Sequence, residues 1–71
     1  MEKTGKISKI VVNFVVDDNV ISDYYLTKCF EDGSEVTQNF ATIGLMMEAW
    51  CYYLLQGYTC TTNVEKEVYG S

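Results

Sequence analysis

The chain has 71 residues, 48% of them hydrophobic and 14% aromatic, which makes one small folded domain near the size at which a single core is only marginally stabilising. Ten acidic residues stand against five lysines, with no arginine and no histidine, for a net charge of −5. That balance works against direct binding to nucleic acid or to an anionic membrane, and it suits solubility or a basic partner.

Met1 to Gly5 is a polar lead-in. From Lys6 the pattern has period two, with Ile10, Val12, Phe14 and Val16 on one side and Lys9, Val11, Asn13 and Val15 on the other. So many β-branched residues predict an inner strand. Lys9 and Asn13 also interrupt the apolar run that a signal peptide needs, and no small-residue cleavage site follows. Asp17-Asp18-Asn19 reads as a turn.

Val20 to Phe30 reads as a second strand, with Tyr24, Leu26 and Phe30 on the core face. Glu31-Asp32-Gly33-Ser34 carries the Asp-Gly hairpin signal, and Glu35 to Phe40 is a short third strand. Thr42 to Gly57 predicts the one helix, capped by Thr42 and ended by Gly57. Its core stripe is expected to be Ile43, Met47, Trp50 and Leu54, flanked by Met46, Tyr53 and Cys51. Tyr58 to Val64 reads as a last strand, before a polar tail anchored only by Val68 and Tyr69.

The expectation is a single α+β domain over residues 1–71, with mobile ends at 1–5 and 66–71. Its single-layer, mixed, mostly antiparallel four-stranded sheet has one helix packed across it, in the order β-β-β-α-β. A strand order of 3-2-1-4 keeps the Val/Ile-rich first strand inside. One sheet face then has no helix, and Val11, Val15, Ile21 and Tyr25 are expected on it.

Catalytic chemistry is not expected. General acid–base catalysis most often uses histidine, and there is none. Cys29, Cys51 and Cys60 lack a base or cationic neighbour in the pattern and read as small hydrophobes. Their spacing supports neither a zinc site nor a secreted disulfide framework, so no metal is expected. No phosphate-binding glycine motif is present, so no cofactor is expected either. No apolar run approaches the ~20 residues that cross a bilayer. A cytoplasmic protein with reduced thiols is therefore expected.

What the sequence offers instead is contact surface. The side of the helix away from the core stripe carries Leu45, Tyr52 and Leu55, with Glu48 and Gln56 as its polar residues. Such a face fits a protein partner or a second copy in a homodimer. Tyr25 on the bare sheet face is a second candidate contact. The acids fall at two ends of the second strand, Asp17 and Asp18 at one and Glu31, Asp32 and Glu35 at the other, as docking points for a basic or nucleic-acid-binding partner. The expected function is a non-enzymatic protein-interaction module. Its sharper form is an inhibitor from a phage or mobile element that binds a host protein such as a CRISPR effector. The alternative is an assembly protein whose apolar surfaces serve homo-oligomerisation.

Overall fold

The computed structural model describes residues 6–67. Five elements follow one another: β1 (Ile7–Asp17), β2 (Val20–Phe30), β3 (Glu35–Gln38), α1 (Ile43–Leu55) and β4 (Cys60–Glu67). They form a four-stranded mixed sheet in the order β3-β2-β1-β4 with α1 against one face, an α+β fold. β1 pairs antiparallel with β2 and parallel with β4, so the Val/Ile-rich strand is internal as expected.

Local chemistry explains the turns. Asp18 and Asn19 both adopt positive φ, 54° and 64°, which these residues tolerate better than most, and this closes a two-residue hairpin between the paired Asp17 and Val20. In the β2–β3 turn Gly33 takes φ 93°, and Asp32 Oδ1 accepts hydrogen bonds from Ser34 Oγ at 2.6 Å and Ser34 N at 2.9 Å. The hydroxyl bond, followed by the amide bond, holds the Asp32 carboxyl below its ordinary pKa.

The helix starts and stops where its sequence asks it to. Thr42 Oγ1 accepts from Leu45 N at 3.1 Å, an N-cap. At the other end Gly57 has φ 95°, Gly57 N donates to Leu54 O and Tyr58 N donates to Tyr53 O, a Schellman closure. Thr42→Ala should therefore destabilise the domain by about 1 kcal/mol in urea unfolding followed by circular dichroism.

Three strand boundaries in β3 and β4 differ from expectation. The chain leaves the sheet at Gln38 rather than Phe40, because Phe40 packs on the core beside the helix instead of extending the strand. β4 starts at Cys60, since Tyr58 is taken up by the helix cap and by an edge-on contact with Tyr53 at 5.7 Å. It continues past Val64 to Glu67 because Val64 to Glu67 each find a register partner in Phe14 to Asp17. Lys66 and Glu67 therefore belong to β4 and not to a tail. Residues 1–5 and 68–71, including Val68 and Tyr69, lie outside the described residues.

The core is thin. Ile10, Val12, Leu26 and Met46 are fully buried, with Phe14, Tyr24, Trp50, Tyr53 and others packed round them. Met46, not the expected Met47, is the helix residue seated at the centre, and Leu54 and Cys51 are exposed. The helix is thus turned by well under half a revolution from the expected stripe. With apolar side chains on every side, its sequence has no single preferred face, and the sheet decides the rotation.

Thirteen helical residues span about 20 Å, whereas an eleven-residue strand spans about 35 Å. Tyr24 Oη donates to Ala41 O just before the helix starts, so the sheet runs on beyond α1 towards the β1–β2 turn. A bulge at Ser22 pairs Ile21 with Val16 there, which moves Ile21 off the bare face where alternation had put it.

Candidate interaction surfaces

Two surfaces stand out, one on each side of the molecule. The first is the outer side of α1. Leu45, Tyr52, Leu54 and Leu55 are 48%, 60%, 47% and 84% exposed. Cys51, Glu48 and Gln56 are exposed with them. At 100° per residue, Leu45, Glu48, Tyr52 and Leu55 lie opposite the Met46 and Tyr53 side that meets the sheet. The structure therefore brings the four expected helix residues together, while Leu54 is exposed on one flank, half a turn from Leu45.

The second is the sheet face without a helix. Cross-strand register aligns Asn63, Asn13 and Tyr25 in one row, with Thr61, Val11, Thr27 and Thr37 in the next. Asn63 Nδ2 donates to Asn13 Oδ1 at 3.2 Å, and Asn13 Nδ2 donates to Thr27 Oγ1 at 3.1 Å. The Val11 and Tyr25 carbonyls lie 3.4 Å from the same amide nitrogen. Asn13 and Thr27 are only 7% and 9% exposed although no helix covers them. A shallow hollow of about 510 Å³ lies over this network. Val11 and Tyr25 line it as expected, but most of its other lining residues are polar, and it lies on the side away from α1.

The acids are distributed as two groups. Asp23 and Glu65 flank Val15 in register, next to the paired Asp17 and Glu67, with Asp18 in the adjoining turn. Glu31, Asp32 and Glu35 sit at the other end of β2, about 30 Å away. Asp17 and Asp18 therefore gain neighbours through β4, while the two ends stay apart. Tyr25 is half-buried beside Asn13 and offers less surface than expected.

Comparison of the chain with protein-family models, with curated proteins and with solved structures returned no match.

The remaining chemistry is sparse. Burial pushes the Cys60 thiol above its ordinary pKa, and the neighbouring Cys51 adds to the shift, which disfavours the reactive thiolate. Among the described residues, no group of three or more Cys, Asp or Glu side chains is placed to hold a metal ion. Among the same residues, no helix is long and apolar enough to cross a membrane. Lys28 Nζ stands 5.9 Å from the centre of the Tyr53 ring, on the covered side of the sheet.

Sequence reasoning missed the Asn63–Asn13–Thr27 network. Its one visible signal is Asn13 itself, a polar residue in the middle of a β-branched strand. Such a residue is tolerated when buried only where its amide is hydrogen-bonded.

Proposed function

We propose that this domain is a non-enzymatic protein-interaction module that works by occupying a surface of another protein chain through the outer face of α1. The reading is carried by the exposure of Leu45, Tyr52 and Leu55 along one side of α1, on a domain with only four fully buried hydrophobic side chains among its described residues. A small domain that leaves this much apolar side chain in water, while its core is so thin, gains most from a covering partner. The alternative, an assembly protein, uses the same face for homo-oligomerisation.

A narrower form is an inhibitor, from a phage or mobile element, that masks a basic nucleic-acid-binding protein such as a CRISPR effector. It draws on the net charge of −5 and on the acids gathered beside Asp17. Complexes of that kind weaken as salt rises, because the opposed charges are screened.

The double variant Leu45→Glu/Tyr52→Glu tests the contact face. It should keep the wild-type circular dichroism spectrum and lose the association that the wild type shows, with itself or with a purified protein ligand. Association undiminished in the folded variant would overturn the reading.

A further inference from the structure

We infer that the occupant of the outer face of α1 is a second copy of this chain, docked as an antiparallel helix pair about a two-fold axis level with Trp50. The inference rests on the proposed contact face and names what covers it.

Leu45, Glu48, Tyr52 and Leu55 are separated by three, four and three residues, the seam of a helix that packs lengthwise on another. This spacing reads the same in both directions. A two-fold contact needs a patch that is complementary to itself. Turned antiparallel about the level of Trp50, the seam sets Leu45 of each copy against Leu55 of the other. Glu48 of each copy then falls level with Tyr52 of the other.

That second match carries the chemistry. Glu48 is the only charged residue of α1. A carboxylate enclosed between apolar side chains needs a hydrogen-bond donor. The Tyr52 hydroxyl is the one side-chain donor within the seam, and the two-fold supplies it twice. The Leu pairs close both ends and keep water from the middle.

Shape agrees. The sheets lie on the far sides of the paired helices, giving a sheet–helix–helix–sheet stack with both bare sheet faces still open.

Each copy carries a net charge of −5, so the two repel. Self-association through the helices should therefore tighten as salt rises. A complex with a basic partner does the opposite.

Sedimentation equilibrium on the reduced protein across a concentration series, at low and high salt, tests this. The expected result is a species of twice the 8.1 kDa chain mass, favoured by salt and abolished by Leu55→Glu with the fold retained. Tyr52→Phe strands the carboxylate and should weaken the dimer at least about tenfold, while Glu48→Gln, which still accepts from the phenol, should not. Register is read by oxidative cross-linking in a Cys51→Ser background. Leu45→Cys/Leu55→Cys should form covalent dimers, and each single cysteine variant should not, since like positions lie about 15 Å apart along the axis.

A monomer at every concentration overturns the inference. If Leu45→Glu/Tyr52→Glu nonetheless abolishes binding of a foreign protein, the contact-face reading stands without it. A dimer indifferent to both that double variant and Leu55→Glu overturns the helix pair and, with it, the reading of the face. Cross-linking by either single cysteine variant alone overturns the register.

Discussion

Met46→Ala is expected to remove most of the stability of this domain. Met46 is the only helix residue that is fully buried, and it sits on Ile10, Val12 and Leu26, which complete the core. Truncating a buried methionine removes its transfer free energy and leaves a cavity, together about 3 kcal/mol. A single core in a chain of this length supplies only about 3–5 kcal/mol in total. The midpoint of thermal unfolding should fall by about 15 °C. Met46→Leu, which conserves volume, should lose about 1 kcal/mol. Leu55→Ala, measured at a concentration where the chain is monomeric, should stay within about 0.5 kcal/mol of wild type, because Leu55 is 84% exposed. A Leu55→Ala loss equal to that of Met46→Ala would mean that the wrong side of α1 has been assigned to the core.

The contrast between those two positions marks where sequence reasoning ran out. Hairpin turns and helix ends depend on residues next to each other in the chain, and they were legible. Asp18 and Asn19 accept positive φ, Thr42 reaches Leu45 N, and Gly57 takes the left-handed position after the helix. Strand order was legible as well, since the Val/Ile run of β1 demands neighbours on both sides. The rotation of α1 was not. Periodicity locates a face only when the other side is polar, and here Leu45, Cys51, Tyr52, Leu54 and Leu55 blur the signal. Bulges were equally hidden: one extra residue at Ser22 moves Ile21 to the other side of the sheet, and nothing in the local sequence announces it.

The candidate surfaces divide the same way. The seam of Leu45, Glu48, Tyr52 and Leu55 is a property of one helix and could be read directly. The partner of Asn13 comes from β4, 50 positions along the chain, and it appears only once the parallel register of β1 and β4 is known.

Asn13→Asp is expected to turn that register into a pH-dependent weakness. The Asn13 amide nitrogen carries two protons, with Thr27 Oγ1 at 3.1 Å and the Val11 and Tyr25 carbonyls at 3.4 Å as acceptors. An aspartate there would aim a second oxygen at those carbonyl oxygens, in a site where Asn13 is 7% exposed. Desolvation and the facing carbonyls both disfavour the charged form, so the carboxyl pKa in the folded state would rise above the ~3.9 of the unfolded chain. For a raised folded-state pKa, the favourable contribution exists below the unfolded value and is lost as pH rises through the folded one. Relative to wild type, Asn13→Asp should therefore unfold with a small deficit near pH ~3 and a full deficit of about 3 kcal/mol at neutral pH. Asn13→Val removes the amide without adding charge. It should lose about 1–2 kcal/mol at both pH values alike, because the buried Thr27 hydroxyl loses its donor while the exposed Asn63 can turn to water. Urea unfolding of the three proteins at the two pH values decides the matter. An Asn13→Asp deficit that does not grow with pH would mean that the open sheet face is wetter than its burial indicates, and that the Asn63–Asn13–Thr27 chain contributes little to holding β4 against β1.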